Sequence, residues 1–205
     1  MHAGRVLARL LTSHQGRPGL LVLGLPRGGM PVAAVVAEHL EAPLDAFLVR
    51  KLGVPGREEL AMGAVASGGV RVLNDDVIRN LAIPPHVLAA ATAAAEGELR
   101  RQEARYRGDR PPVDVAGRSV IVVDDGLATG STMRAAVAAL RLLEPASVTV
   151  AVPTAPRQTV ARLRDEADEV VAASQPEPFL AVGYSYDDFA PTTDEEVRRL
   201  LAPRR

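Results

Sequence analysis

Short apolar runs alternate along the chain with segments in which apolar residues recur every three or four positions, and turn-forming residues separate them. Leu20–Leu25, Leu44–Arg50, Ser119–Asp124, Ser147–Val152 and Glu169–Ala173 have the length and branched-residue content of buried strands. Helical patterns cover Gly29–Leu40, Ser131–Leu143 and Pro156–Glu166, and the N-terminal MHAGRVLARLLTSHQG reads as a short amphipathic helix. Pro84 and Pro85 open a longer Ala-rich helix to about Arg107, in which Glu96 with Arg100 and Glu103 with Arg107 have the supportive i,i+4 spacing. Its charged second half is expected to be a solvated face. Strand alternating with helix predicts an α/β fold, a parallel sheet with helices on both faces. The Pro/Gly-punctuated LGVPGREELAMG and the strand-like pieces Ala64–Ala66 and Val70–Leu73 are expected to form a flexible loop near 52–73. Residues 1–173 are thus the core, and 174–205, which hold most of the aromatics, a C-terminal cap.

Composition narrows the function. The chain of 205 residues carries 24 basic and 25 acidic residues, a formal charge of -1, so no global field draws it to nucleic acid or anionic lipid. An anion has to be caught locally. The absence of cysteine excludes disulfides, thiolate metal sites and a Cys nucleophile. No apolar run reaches membrane-spanning length and no secretory leader is visible, so a cytoplasmic location is expected.

The candidate chemistry sits in VIVVDDGLATGSTM, Val120–Met133. A buried strand ending in Asp124 and Asp125 places two carboxylates at its carboxyl end, where open α/β sheets bind ligands. Gly126, Ala128, Thr129, Gly130, Ser131 and Thr132 then turn into a helix whose free N–H groups and hydroxyls suit a phosphate. Carboxylates accept the hydrogens of a vicinal diol, so the ligand implied is a ribose 5-phosphate. The alternative is that the aspartates cap a turn and the glycines make it. A P-loop lysine and a GxGxxG spacing are both missing, which disfavours ATP hydrolysis and NAD binding.

These residues resemble the 5-phosphoribosyl-1-pyrophosphate (PRPP) signature of the type I phosphoribosyltransferases: apolar strand, two acids, and a small-residue loop ending in T-G-[small]-[ST]. Other family loops appear in order. Leu25, Pro26, Arg27, Gly28, Gly29 and Met30 are similar to the pyrophosphate loop, in which the family implies a cis Pro26–Arg27 peptide. Val49, Arg50 and Lys51 are similar to the basic strand end before the flexible loop. The resemblance implies a Rossmann-like core, a hood over 174–205, a homodimer and Mg2+ as cofactor, while charge and hydropathy imply no nucleic-acid or membrane partner.

On that resemblance PRPP is held by Pro26, Arg27, Gly28, Gly29, Arg50, Lys51, the acid pair and the 126–132 loop, with Asp125 as a metal contact, directly or through water. Arg27, Arg50 and Lys51 would clamp pyrophosphate, and Glu59 in the flexible loop would relay the acceptor's proton. Phe179 and Tyr184 are the acceptor-binding candidates, by likeness to the hood of the 6-oxopurine enzymes; the competing reading makes the tail aromatics a small core. Ala128 stands where those enzymes have Asp, and Pro153 and Thr154 where they have Lys, so their base specificity does not carry over; the family resemblance implies a small, nitrogenous, nucleobase-like acceptor of unassigned identity. A PRPP-binding regulator without turnover is the alternative function.

Overall fold

A computed structural model describes residues 2–202, with the side chains of Glu58 and Glu59 outside the description. Among the described residues the chain forms a five-stranded sheet and a three-stranded sheet. The first contains β1 (Leu21–Gly24), β2 (Leu44–Ala46), β6 (Ser119–Val123), β7 (Ser147–Thr154) and β8 (Glu169–Ser174), in the order β2-β1-β6-β7-β8. All its pairings are parallel, and α-helices occupy both faces. The expected α/β class is therefore observed.

The two faces follow from side-chain alternation along each strand. Leu21, Leu23, Val120, Val122, Val148, Val150 and Val152 pack against α5 (Ser131–Arg141) and α6 (Arg157–Leu163). Val22, Ile121, Val123 and Ala151 point to the opposite face, toward α1 (His2–Leu10) and α2 (Gly29–His39).

The segment 52–73 departs from expectation in part: the strand-like pieces Ala64–Ala66 and Val70–Leu73 are strands, and the residues before them are extended as well. It is not a loop: β3 (Val49–Val54), β4 (Arg57–Ala66) and β5 (Val70–Leu73) form an antiparallel sheet. Pro55 and Gly56 connect β3 to β4, and Gly56 has φ 75°, the pairing of a fixed-φ proline with a left-handed glycine that closes a tight turn. Leu52, Val54, Met62 and Val65 then bury a small core of their own against α3 (Asp75–Asn80) and α4 (Pro85–Arg107). The expected single strand Leu44–Arg50 is likewise divided: β2 stays in the parallel sheet, and the chain leaves at Phe47 and Leu48 to begin β3. Helix α3 was not foreseen; Asn74 caps it by accepting the Val77 N–H at 3.2 Å.

A buried ion pair joins the sheets. Arg107, at the end of α4, donates from Nε to both oxygens of Asp45 at 2.9 and 3.1 Å, from Nη1 to Glu103 at 3.2 Å, and from Nη2 to the Ala46 carbonyl. Asp45 also accepts the Ala46 and Val113 N–H groups, at 2.8 and 3.1 Å. Ser67, after β4, donates to Glu103 at 2.7 Å and accepts the Leu48 N–H at 3.0 Å. Both charges are satisfied out of water, the condition under which burying them is tolerable.

The C-terminal segment folds over the carboxyl end of the sheet and ends in α7 (Asp194–Leu201), whose start is a capping box between Thr193 and Glu196. Val197 and Leu201 pack with Met30, Ala46, Leu48, Leu99 and Tyr106. No helix among the described residues is long and apolar enough to cross a membrane.

Arg107→Met leaves Asp45 buried without its partner and is expected to cost about 3–5 kcal/mol in denaturant unfolding. Adding Asp45→Leu to Arg107→Met should recover part of that loss, because the unpaired charge is then gone. A single-variant loss within the ~0.5 kcal/mol typical of surface changes would refute the bridging role.

Candidate functional site

The site is built where β1 and β6, neighbours in the sheet, release their following loops. Gly24 is level with Val123, so the loop after β1 meets the acid pair after β6. The approach leaves no room for side chains. A Cβ on Gly28 would lie 1.8 Å from Asp125 Oδ2, and one on Gly29 would lie 2.8 Å from the Asp124 Cα. The Leu25 N–H donates to the Val123 carbonyl at 2.8 Å, holding the loop bases together, and the Pro26–Arg27 peptide is cis as the resemblance implies.

Asp124 and Asp125 are both partly buried and lie side by side, and no hydrogen bond to a basic side chain is present on either among the described residues. The Asp124 carboxyl is pushed up to about 8, chiefly by burial and then by the charge of Asp125, against the Asp125 N–H that it accepts at 2.9 Å. Burial also raises Asp125, opposed by the N–H groups of Asp125 and Gly126. Near neutral pH the pair by itself therefore retains a proton. A recessed acid pair of this kind favours ligands that bring either a cation or hydroxyl donors.

The turn 126–132 lies beside it. Gly130 has φ 72°, a left-handed conformation that glycine adopts freely, and precedes the first turn of α5. Thr129 Oγ1 accepts the Ser131 N–H at 3.4 Å, and Thr159 donates to the Ala128 carbonyl at 2.7 Å, bracing the turn from α6. Ala128, Thr129, Ser131 and Thr132 are exposed around the start of α5, whose first N–H groups have no intrahelical partner. Lys51 Nζ donates to Ser131 Oγ at 3.4 Å. Lys51 is therefore brought to the helix start, away from the side where Arg27 and Arg50 lie; strand β3 carries it there by packing against α5.

The C-terminal segment supplies one wall. Tyr186 donates its hydroxyl to the Asp125 carbonyl, and its ring meets Phe189 at a centroid distance of 5.1 Å. Burial, then the charges of Asp125 and Asp124, hold this phenol far above its usual range. Arg27, Gly28, Asp125, Tyr186, Asp188 and Phe189 line a cleft of about 480 Å3. Phe179 is half-buried and Tyr184 is 80% exposed, and neither lines it. The Glu59 side chain lies outside the described residues. Tyr186 and Phe189 escaped the sequence reading because Tyr184 and Phe179 in the same run are of equivalent type, and only the path of the chain selects between them.

Val182 crosses above Gly126, where a Cβ would fall 2.6 Å from its Cγ1, and Ser185 donates to Thr154 at 2.9 Å. The hood is thus seated on the loop it covers.

Comparison with known proteins places this geometry. Residues 1–188 match the phosphoribosyl transferase domain family. A Mycobacterium tuberculosis protein whose name provisionally assigns it as a phosphoribosyl transferase is 48% identical over 203 residues, 97% of this chain and 45% of its own length. The chain therefore spans about half the length of that relative. A Thermus thermophilus protein of known crystal structure is 45% identical, with 98% of this chain and 94% of that one covered and a TM-score of 0.88. With the domain match running from the first helix through the acid pair to the hood, the chain belongs to the phosphoribosyl transferase domain family.

Proposed function

We propose that the protein transfers a 5-phosphoribosyl group from PRPP to a small nitrogenous acceptor and releases pyrophosphate. One observation carries the reading: a recessed acid pair bonded to no basic side chain among the described residues, set between the start of α5 on one side and the glycine-arginine loop on the other. A helix start suits a phosphate, an acid pair a diol and a basic glycine loop a pyrophosphate, the three groups that one sugar of this kind carries.

In this reading the N–H groups of 128–132, with the Thr129, Ser131 and Thr132 hydroxyls and Lys51, hold the 5-phosphate. Asp124 and Asp125 bind the ribose diol, fixing the sugar so that C1 faces the hood. Arg27 and the backbone of Gly28 and Gly29 receive charge as the C1–oxygen bond to pyrophosphate breaks. The acceptor nitrogen bonds to C1 and gives up its proton, for which Glu59 on β4 is the candidate relay. Tyr186, anchored on the Asp125 carbonyl, and Phe189, tilted against it by 39°, offer the acceptor an aromatic wall beside Asp188. Phe179 and Tyr184 keep their candidacy only through resemblance.

The acid pair fits Mg2+: both side chains are carboxylic acids, recessed, and bonded to no basic side chain among the described residues. Among the described residues no cluster of three ligating side chains exists, so Asp125, with Asp124 beside it, would share the ion with ligand oxygens and water. Bound there, Mg2+ would offset charge on the pyrophosphate.

PRPP with Mg2+ is expected to raise the melting temperature. Asp124→Asn/Asp125→Asn, and separately Gly28→Ala, whose new Cβ displaces Asp125, should lose that shift. An equal shift in all three proteins would refute the assignment. Pyrophosphate release across nucleobases and small amines then tests turnover; binding without release under every acceptor would favour the regulator.

The raised Asp124 group gives a pH signature. The folded carboxyl keeps its proton up to about 8, whereas the unfolded one loses it near ~3.9. Stability contributed by the protonated form is present at low pH and is lost as pH rises through this window. The melting temperature of the empty protein should fall as pH rises toward 8, and Asp124→Asn should flatten that slope. Identical pH profiles for the two proteins would refute it.

A further inference from the structure

Beyond the Pro26–Arg27 peptide lies a second cleft, of about 370 Å3, whose polar lining is Arg27, Arg50, Gln102, Arg105 and Asp194. Arg27 lines this cleft and the acid-pair cleft alike, so the two open on either side of it. Three arginines against one aspartate leave the lining two charges positive. Arg105 belongs to the half of α4 that charge pattern alone assigns to solvent; the fold turns it toward the pyrophosphate loop.

The lining is cross-linked by one run of hydrogen bonds. Arg50 Nη2 donates to Gln102 Oε1 at 2.8 Å, and Gln102 Nε2 donates to the Tyr106 hydroxyl at 3.0 Å. Tyr106 donates to Asp194 Oδ1 at 2.8 Å, and Arg105 Nη1 donates to Asp194 Oδ2 at 2.5 Å. Asp194 is the first residue of α7, fixed by the Thr193–Glu196 capping box. Tyr106 is 3% exposed, so the centre of the run is rigid while the guanidiniums at its ends are reachable, with side-chain exposures of 39% for Arg50 and 60% for Arg105. Glu98, the other acid near Arg50, lies 2.6 Å from Arg101 and 3.4 Å from Arg50, so Arg101 takes most of its charge.

We propose that Arg105 is a third arm of a pyrophosphate clamp with Arg27 and Arg50, and that Gln102, Tyr106 and Asp194 position its arginines. The proposal rests on the PRPP reading above and extends it to α4 and α7. A departing pyrophosphate carries several charges, and guanidinium forks engage phosphate oxygens in pairs, so three forks around one cleft suit it better than a single cation. Asp194 does not compete with this role: it holds one edge of Arg105 and leaves the remaining N–H groups for the ligand. The arrangement also makes the clamp depend on a docked hood, because α7 delivers Asp194.

Calorimetric titration of the full chain with inorganic pyrophosphate and, separately, with ribose 5-phosphate tests this. Arg105→Gln should weaken pyrophosphate binding about tenfold or more, as for loss of one charge-assisted contact, and leave ribose 5-phosphate within about twofold. Arg105→Lys should recover part of the loss. Tyr106→Phe should weaken pyrophosphate about three- to fivefold through loss of one positioning hydrogen bond, again sparing ribose 5-phosphate. Unchanged pyrophosphate affinity in Arg105→Gln overturns the clamp and leaves the PRPP reading intact. So does a parent protein that binds ribose 5-phosphate but not pyrophosphate. Equal weakening of both ligands with a lowered melting temperature assigns Arg105 a structural role and also overturns the clamp. A parent that binds neither ligand overturns the clamp and the PRPP reading together.

Discussion

The site depends on one steric constraint: β1 and β6 are sheet neighbours, and the loops that leave them must pass each other with no side chain between. Gly28 and Gly29 meet this constraint, since a methyl group on Gly28 would strike Asp125 and one on Gly29 would strike the backbone of Val123 and Asp124. Parallel pairing puts both loops at the same sheet edge. Strand adjacency therefore converts two sequence segments about a hundred residues apart into one surface, with a glycine-arginine loop on one side and an acid pair on the other.

Two aspartates in this protein show how partners decide role. Asp45 is 6% exposed and accepts from Arg107, Ala46 and Val113, so its charge is matched and it serves to join the sheets. Asp124 is partly buried beside a second carboxylate, with one backbone N–H for support, and its carboxyl rises to about 8. The first is complete without a ligand. The second is left with a demand that a diol or a cation would meet, which is the physical reason to assign it to function.

The hood carries a related division of labour. Val182 and Ser185 seat it over the acid loop, Tyr186 ties it to the Asp125 carbonyl, and Asp194 reaches across to Arg105 and Tyr106 on α4. A small, mostly polar segment is thereby placed by contacts to both clefts, while its last helix buries Val197 and Leu201 for stability. The acceptor and pyrophosphate sides proposed here thus share one covering element.

What the sequence determined by itself is local: the α/β alternation, the strands read to Leu25 and Asp124, each one residue past the observed ends at Gly24 and Val123, the turn 126–132 and the acid pair, each written within a few residues as apolar runs, turn residues and adjacent like charges. The V-P-G-R turn that pairs β3 with β4 was equally local, yet charged residues around it outweighed the alternation and made the ribbon look like a loop. Tertiary structure alone decided which tail aromatics face the cleft, that Lys51 reaches Ser131, and that Arg105, Arg107, Asp45 and Asp194 are anything other than surface charges. The reason is that a charge or ring takes its role from partners 60 to 90 residues distant, and no periodicity in the chain records which of them the fold will bring within reach.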